Sequence, residues 1–284
     1  MKILVFGKTG QVARELQALA GADLQIEALS RTEADLLDPA ACAARIAQTD
    51  ADAVINAAAY TNVDGAESEE DSAQLINGTS PGAIARACAT LSIPLVHIST
   101  DYVFDGSGEA PWTPGDATAP LGAYGRSKLA GEEAIRASGC AHVILRTSWV
   151  FSAHGANFVK TMLRLSKSHD SLRIVTDQIG GPTPAGAIAE TCLRLVEALR
   201  DGQEGGTYHY AGAPAISWEC FARETFMAAG HDVEVTGIPT SDYPTPARRP
   251  LNSRLDCTAL ETDFGIPQPA WKPALIQIVK ELIS

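Results

Sequence analysis

The chain has 284 residues, a net charge of −12 and 45% hydrophobic residues. This length accommodates one large α/β domain, either alone or with a smaller second lobe. The strong negative charge argues against nucleic acid and anionic membranes as partners, although a local pocket can still bind a small phosphorylated ligand. No apolar run approaches the roughly 18–20 residues needed to span a bilayer, so no membrane segment is expected.

The cysteines and the N-terminus both favour a cytoplasmic protein. Six cysteines are scattered without a C-x-x-C pair or a neighbouring histidine cluster, a pattern typical of reduced, buried thiols rather than a disulfide framework or a zinc site. The apolar run in "MKILVFGKTG" spans only about five residues, shorter than the roughly 7–15 of a signal peptide. We therefore predict a buried first strand and a cytoplasmic location.

The first half of the chain alternates short apolar runs with helix-length segments. The predicted strands cover residues 2–7, 25–30, 52–59, 93–100 and 142–151, and the segments between them include 11–20, 39–49, 66–91 and the helix that carries Tyr124. Strands that are apolar on both faces and separated by helices predict a parallel sheet. Right-handed crossovers make that sheet doubly wound. We therefore predict an α/β, Rossmann-like fold, with residues 1–150 as the dinucleotide-binding domain.

Beyond residue 151 the alternation weakens. Amphipathic helices are predicted in "ANFVKTMLRLSK" and "AGAIAETCLRLVEALR", a strand and a turn in "SLRIVTDQIGGPTP", and a last helix near 273–283. The proline-rich segment "IPTSDYPTPARRPLNSRLD" precedes that helix. We expect residues 151–284 to form mainly a smaller, interleaved substrate-binding lobe over the carboxyl edge of the sheet, with some segments returning to the first domain.

The first strand leads into a glycine-rich turn. In "GKTGQVARELQ", Gly7, Gly10 and Ala13 form a G-x-x-G-x-x-A pattern. Glycine permits a tight turn and a close approach of the backbone to a pyrophosphate, and the next helix offers free N–H groups at its N-terminus. Such turns also occur without a ligand, but the position directly after the first strand favours nucleotide binding.

The end of the second strand bears on the choice of cofactor. Ser30 and Arg31 occupy the place where an acidic residue commonly holds the adenosine ribose. A hydroxyl and a guanidinium suit a 2′-phosphate, so we predict that NADPH is used at least as well as NADH. The alternative is an ordinary solvated arginine in a loop.

Tyr124 and Lys128 lie four residues apart in "AYGRSKLAGE", in the crossover after the fourth strand. A surface helix with a solvated lysine would show the same spacing. The fourth strand, however, ends in "HISTDYVFDG", which places Thr100 at the carboxyl edge of the sheet, where ligands bind. Together the three side chains suit ketone reduction. Thr100 bonds the carbonyl oxygen, Tyr124 donates the proton, and Lys128 holds the nicotinamide ribose and lowers the pKa of the tyrosine.

The whole chain resembles the extended short-chain dehydrogenase/reductases, in particular those that act on dTDP-4-dehydro-L-rhamnose. The resemblance is carried by "FGKTGQVARELQ", "VINAAAYTNVDGAESE", "STDYVFDG", "YGRSKLAGE", "LRTSWVF", "NFVKTMLRL", "DQIGGPTP" and "PTPARRPLNSRLD". It implies reduction of the 4-keto group of this sugar nucleotide by NADPH or NADH, giving dTDP-L-rhamnose. Two alternatives stay open. One is a reductase that gives the C4 epimer, a 6-deoxy-talose nucleotide, and the other is a non-catalytic, cofactor-binding regulatory subunit.

The resemblance also implies roles for individual residues. On the cofactor side, the pyrophosphate is expected at Gly7, Gly10, Gln11 and Val12, the adenine at Asp35 and Leu36, and the adenosine side at Ala57, Ala58 and Ala59. On the substrate side, the sugar is expected at Asp101 and Trp149, and the nucleotide diphosphate at Asn157, Phe158 and Arg248. A packing role for Trp149 and a solvated turn at Arg248 and Arg249 are the alternatives.

Oligomeric state and metal binding complete these expectations. The resemblance is compatible with a homodimer, and some members of the family bind Mg²⁺ through glutamates at a dimer contact. Glu15 and Glu190 are the candidates in this chain. Both are predicted on exposed helix faces, where carboxylates are usually solvated, so we predict no metal site.

Overall fold

The structure is a computed structural model that describes residues 1–284. Up to residue 147, strands and helices alternate as the sequence predicts. In chain order they are β1 (Lys2–Phe6), α1 (Gln11–Ala18), β2 (Gln25–Leu29), α2 (Pro39–Ala47), β3 (Ala53–Asn56), α3 (Glu70–Gln74), α4 (Ser80–Leu91), β4 (Leu95–Thr100), α5 (Ala123–Arg136) and β5 (His142–Thr147).

The second half has shorter strands between its helices. In chain order the elements are β6 (Val150–Phe151), α6 (Phe158–Leu165), β7 (Ser171–Val175), β8 (Ile179–Gly180), β9 (Thr183–Pro184), α7 (Ala185–Arg200), β10 (Gly206–His209), β11 (Ile216–Ser217), α8 (Trp218–Ala229), β12 (Glu234–Ile238), β13 (Asn252–Ser253), α9 (Thr258–Phe264) and α10 (Trp271–Ile283).

Six strands form one parallel sheet in the spatial order β2-β1-β3-β4-β5-β10. The direction of winding reverses between β1 and β3, which is therefore the topological switch point of the sheet. Ligands of such sheets bind beyond the carboxyl ends of the strands at that point. The predicted α/β, doubly wound fold is confirmed, and a ligand is expected at the switch point.

Each face of the sheet carries its own apolar core. On one face, α1 and α7 bury Leu16, Ile188 and Leu195 against the strands. On the other face, α2 and α4 bury Ile46 and Ile84. Helices therefore cover both sides, as strands without a polar face require.

Some segments after residue 150 pack on the main sheet, and others form a separate region. β10 extends the main sheet and α7 covers one of its faces. Beside them, α6, α8 and α10 surround a separate cluster that includes Phe151, Phe221 and Trp271, and β7 pairs with β12. The division into domains at residue 150 stays a prediction.

Two segments differ in detail from the sequence prediction. The strand predicted over 142–151 breaks after Thr147, because Trp149 has a φ of 50° and turns the chain before β6. The stretch 66–91 is split by a π-helical turn over Leu75–Thr79. In that turn, the Asn77 side chain hydrogen-bonds the backbone N–H and carbonyl of Tyr60. The π-helical turn is thereby tied to the segment after β3, and the bend at Trp149 separates β5 from β6.

Candidate active site

The glycine-rich turn lies at the switch point, between β1 and α1. Gly7 has a φ of +105°, a conformation that side chains rarely adopt, and it lies beside Ala57 after β3. Gly10 is the extended residue before α1, and no side chain caps the helix there. The first N–H groups of the helix, beginning at Gln11, are therefore free to bind an anion.

This turn fits the pyrophosphate of a dinucleotide. A Cβ added at Gly10 would meet no atom within 4 Å, so the backbone is open to a ligand at this point. The first turn of α1 contains no acidic residue that would repel a phosphate. Ala57, Ala58 and Ala59 are half-buried next to the turn, and small side chains leave room for the cofactor.

The adenosine end is more exposed. The Arg31 side chain is 72% exposed and pairs with Asp35, with Nε 3.2 Å from Oδ2. The Ser30 hydroxyl donates to Glu33 Oε2 at 2.6 Å, and the hydrogen bonds from Ser30 lower the pKa of Glu33 to about 2. Leu36 is buried, and its carbonyl accepts a hydrogen bond from Ser80. Arg31 is thus held only by a surface ion pair, a weak restraint.

Thr100 and Tyr124 meet at the carboxyl end of β4. The Thr100 hydroxyl donates to Asp101 Oδ1 at 3.1 Å, and it lies close enough to the Tyr124 phenol to oppose the rise of the phenol's pKa. Thr100 is 6% exposed, and Tyr124 is the second residue of α5. The end of a strand and the start of a helix therefore place the two hydroxyl groups next to each other.

Small residues let α5 approach its neighbours closely. A Cβ at Gly125 would overlap the carbonyl oxygen of Tyr102, and one at Gly131 would overlap that of Asn77. Asn77 also donates to the Ser127 hydroxyl at 3.0 Å, and Glu67 Oε1 accepts the N–H of Ala123 at the start of the helix, at 2.8 Å. These contacts hold α5 against the end of the sheet.

Lys128 is 2% exposed, one turn after Tyr124 on α5. Its Nζ donates to the carbonyl of Ile98 at 2.7 Å and lies 3.2 Å from His97 Nε2. Burial lowers the pKa of Lys128 to about 8, although the Glu132 carboxylate opposes this effect. The lysine is therefore an interior group of the site and not a solvated surface side chain.

The expectation that Lys128 lowers the pKa of Tyr124 is wrong for the protein alone. Burial raises the pKa of Tyr124 to about 12, the Asp101 carboxylate adds to the rise, and the Thr100 hydrogen bond opposes it. Lys128, whose Nζ contacts Ile98 and His97, is not among the groups that shift the pKa of Tyr124. The phenol consequently stays protonated at neutral pH, the state that a proton donor needs.

Asp101 presents an unpaired acceptor beside these hydroxyls. It is 2% exposed and its Oδ2 has no hydrogen-bond partner. Burial raises the pKa of Asp101 to about 6, while hydrogen bonds from Ser253 and Thr100 oppose the rise. The hydroxyl of Thr147, which is paired in register with Thr100, also lacks a partner. Buried polar groups of this kind suit a polyhydroxylated ligand.

Trp149 and Phe158 belong to one aromatic cluster. Trp149 stacks on Trp218 with ring centroids 3.6 Å apart and an interplanar angle of 11°. Phe158 lies 4.6 Å from Trp218, and a Cβ at Gly180 would be 2.7 Å from the Trp149 ring. Trp149 is half-buried in this stack, so packing accounts for one of its faces.

Asn157 connects α6 to the glycine-rich turn. Its Nδ2 donates to Gln11 Oε1 at 2.9 Å and to the Ser152 carbonyl at 2.8 Å, and its Oδ1 caps α6 at Lys160. The polar atoms of Asn157 are thus engaged within the protein. Its predicted contact with a diphosphate stays a prediction.

Sequence reasoning missed Arg249. Arg248 is exposed, whereas Arg249 Nη2 donates to Asp64 Oδ2 at 2.7 Å, and Arg249 lies close enough to the Tyr102 phenol to oppose the rise of that phenol's pKa. The Tyr102 ring lies 5.5 Å from that of Tyr124, and Arg249 Nη1 is buried without a partner. The two adjacent arginines in "ARR" indicate a basic site, but the sequence does not show which of the two points inward.

The candidate metal residues lie apart from this site. Glu15 is half-buried on α1, 4.0 Å from His154 Nε2, and burial raises the pKa of Glu15. Glu190 is exposed on α7. No group of three or more His, Cys, Asp or Glu side chains in the chain is arranged to hold a metal ion. All six cysteines are free thiols, and only Cys220 is exposed.

The doubly wound sheet, the glycine turn at its switch point and the Thr100, Tyr124 and Lys128 set define the class as a short-chain dehydrogenase/reductase fold. Comparison with known families makes this specific. The chain belongs to the family of the RmlD substrate binding domain, whose model matches residues 1–284. No helix combines the length and apolar character that crossing a bilayer requires.

Individual relatives match over their full length. The chain is 41% identical to a dTDP-4-dehydrorhamnose reductase of Sinorhizobium fredii, with 100% of this chain and 98% of the relative covered. The crystal structure of a dTDP-4-dehydrorhamnose reductase from Clostridium acetobutylicum superposes with a TM-score of 0.94 at 37% identity, covering 100% of both chains. That of Bacillus anthracis, in complex with NADP, gives 0.93 at 32% identity over 99% of both.

Proposed function

We propose that this chain reduces the 4-keto group of dTDP-4-dehydro-β-L-rhamnose with NAD(P)H, giving dTDP-β-L-rhamnose, the last step of dTDP-L-rhamnose synthesis. The observation that carries the proposal is the position of Tyr124 beside the buried Thr100 and one helical turn before the buried Lys128. Full-length relatives at about 40% identity carry the name of this reductase.

The cofactor binds across the switch point of the sheet. Gly7, Gly10 and the first N–H groups of α1 hold the pyrophosphate, and the segment from Ala57 to Ala59 borders the adenosine. Arg31 turns from Asp35 toward the 2′-phosphate, so that NADPH is used at least as well as NADH. When bound, the nicotinamide supplies the hydride.

Tyr124 supplies the proton. Its phenol, which stays protonated because its pKa is raised to about 12, donates to the former carbonyl oxygen as the hydride reaches C4. The ketone thus gains one hydride and one proton and becomes an alcohol. Thr100 donates a hydrogen bond to the same oxygen and stabilises the negative charge that develops there.

Lys128 and Asp101 orient the reactants. Lys128 uses two of its three donors on Ile98 and His97, the third holds the nicotinamide ribose, and the charge of Lys128 facilitates proton release from Tyr124. The unpaired Oδ2 of Asp101 accepts a hydrogen bond from a sugar hydroxyl.

The second half of the chain supplies most of the nucleotide-sugar contacts, including Trp149, Asn157, Phe158 and Arg248. Arg249 is added to this set, because its unpartnered Nη1 and its proximity to the Tyr102 phenol place a cation beside the site. A cytoplasmic location is supported by the six free thiols, which suit a reducing compartment.

The direct test is to mix the purified protein with NADPH and dTDP-4-dehydro-L-rhamnose and follow the loss of NADPH absorbance. NMR of the product then determines the configuration at C4. Rapid oxidation with a rhamno product supports the proposal. A talo product would mean that the protein is a reductase that gives the C4 epimer. Tight NADPH binding without oxidation would overturn the catalytic function.

A further inference from the structure

Lys128 lies at one end of a buried chain of polar side chains. Lys128 Nζ is 3.2 Å from His97 Nε2, and His97 Nδ1 is 3.1 Å from Asn56 Nδ2. Asn56 Oδ1 in turn accepts the N–H of Ala58 at 3.2 Å. The three side chains are 2%, 0% and 1% exposed, so water does not complete their hydrogen bonds. These hydrogen-bonded side chains connect α5, β4 and the end of β3.

When Lys128 is charged, the hydrogen-bond donors and acceptors of Lys128, His97 and Asn56 do not match in the observed arrangement. Because Asn56 Oδ1 faces the Ala58 N–H, the amide group directs its donors to His97 Nδ1, which must then be the bare nitrogen. A neutral imidazole therefore carries its proton on Nε2, facing Lys128. An ammonium group has donors only, so this arrangement suits a neutral lysine and not a charged one.

A second arrangement suits the charged lysine. Lys128 then donates to a bare His97 Nε2, the ring proton lies on Nδ1, and the Asn56 amide rotates so that its oxygen accepts that proton. The rotation releases the N–H of Ala58. The charge of Lys128, the tautomer of His97 and the orientation of Asn56 consequently change together.

The surroundings keep His97 neutral in both arrangements. Burial, together with the Lys128 and His142 charges, holds the pKa of His97 well below its usual value. Glu132, four residues after Lys128, favours the charged lysine, and Tyr124 lies one turn before it. A change of tautomer, with no net charge on the ring, is therefore the response available to His97.

We propose that His97 and Asn56 are positioning residues that couple the charge of Lys128 to the cofactor-lining segment that begins at Ala57. This inference rests on the proposed function only for the role of Lys128 at the nicotinamide ribose. A ligand that binds the Ala58 N–H therefore changes the orientation of Asn56, and through His97 it changes the charge state of Lys128.

The decisive experiment is a pH titration of the cofactor-free protein, labelled with ¹⁵N in its histidine rings. We expect the His97 shifts to change from the Nδ1–H to the Nε2–H tautomer with a midpoint near the Lys128 pKa of about 8. His209 is the internal control, since its Nδ1 faces the Trp112 carbonyl at 2.9 Å and should stay protonated at that nitrogen. Lys128→Met should abolish the change at His97. A single His97 tautomer throughout, or the same transition in Lys128→Met, would overturn the proposal.

Asn56→Asp extends the test to catalysis. A carboxylate can only accept hydrogen bonds, so it should fix His97 as the Nδ1–H tautomer at all pH values. The basic limb of the pH profile of kcat should then move upward by about one pH unit. If the carboxylate acted through charge alone, the tautomer change would persist at a higher pH, and the coupling would be refuted. Absence of turnover in the wild-type protein would refute the proposed function but leave the NMR result standing.

Discussion

The site has a chemical end, formed by Thr100, Tyr124 and Lys128, and an adenosine end, formed by Ser30, Arg31 and Asp35. The two ends are built in opposite ways. Thr100 and Lys128 are 6% and 2% exposed, and each is hydrogen-bonded to another buried side chain, Thr100 to Asp101 and Lys128 to His97. At the adenosine end, Arg31 has a side chain that is 72% exposed and a single surface partner, Asp35. The chemical end is thus buried before any ligand binds, whereas the adenosine end is exposed and free to adjust.

This difference predicts where substitutions act. A buried group cannot be replaced by water, so its loss at the chemical end should reduce turnover or stability strongly. An exposed ion pair contributes little by itself, so changes at the adenosine end should alter cofactor affinity and little else.

Tyr124→Phe should cause the largest loss. It removes the phenolic proton without changing the ring, and a positioned general acid contributes about 10²–10⁴-fold to the rate. We expect kcat to fall about 10³-fold while the Kd for NADPH, measured by fluorescence titration, changes less than about threefold. Tyr243→Phe, at an exposed tyrosine, is the control and should leave both values unchanged. A kcat above about one tenth of the wild-type value would assign the proton to another group.

Glu132→Gln should destabilise the chemical end. Glu132 is fully buried and pairs with Arg146, with Oε2 2.6 Å from Nη2, and Ser99 donates to its Oε1. Breaking a buried pair leaves an uncompensated charge, so the free energy of unfolding should fall by about 3 kcal/mol in urea titrations.

The neighbour Glu133 is exposed on the same helix and supplies the matched control for this variant. Glu133→Gln should change the free energy of unfolding by less than about 0.5 kcal/mol. Equal effects of the two substitutions would contradict the view that the buried pair supports α5.

Asp101 should make stability depend on pH. Its pKa is raised to about 6 in the folded protein, so the folded state binds more protons than the unfolded state between about pH 4 and 6. The contribution of this carboxyl to stability therefore falls as the pH rises through that window. Asp101→Asn should remove the dependence and raise the free energy of unfolding at pH 7, relative to wild type, by up to about 2–3 kcal/mol.

Asp105→Asn is the control with the opposite sign. Hydrogen bonds from Ser107 lower the pKa of Asp105, so this carboxylate adds stability at pH 7 that is lost as the pH falls. The substitution should therefore reduce stability at pH 7. A gain in both variants, measured by urea unfolding at pH 4.5 and 7, would show that neither effect comes from the carboxyl groups.

Arg31→Ala should have the smallest effect. If Arg31 pairs with the 2′-phosphate, its loss should raise the KM for NADPH about fivefold to tenfold, change that for NADH less than about twofold, and leave kcat intact. The exposed Arg14, on the first helix, offers the control Arg14→Ala. Equal changes for the two cofactors would remove Arg31 from the recognition of the phosphate.

The sequence predicts the architecture well because its signals are local. Apolar runs identify β1 to β5, and the glycine pattern after β1 places the nucleotide turn at the switch point. The spacing of Tyr124 and Lys128 likewise requires only that α5 is a helix. Each of these predictions depends on neighbours within one or two turns of the chain.

The features that the sequence did not reveal depend on contacts between distant segments. Arg249 reaches Asp64 across 185 positions, and the Asn56 and His97 pair joins adjacent strands. The raised pKa of Tyr124 results from its burial and from Asp101, which residue spacing does not report. The positive φ of Trp149 breaks an otherwise uniform apolar run that predicts a continuous strand.

The most direct test of the contrast between the two ends is a single-turnover measurement of NADPH oxidation at saturating cofactor and sugar nucleotide. Tyr124→Phe and Arg31→Ala are compared with the wild type under the same conditions. We predict that Arg31→Ala transfers hydride at the wild-type rate and that Tyr124→Phe is slower by about three orders of magnitude. Comparable losses in the two variants, or a larger loss in Arg31→Ala, would contradict the assignment of chemistry to the buried end.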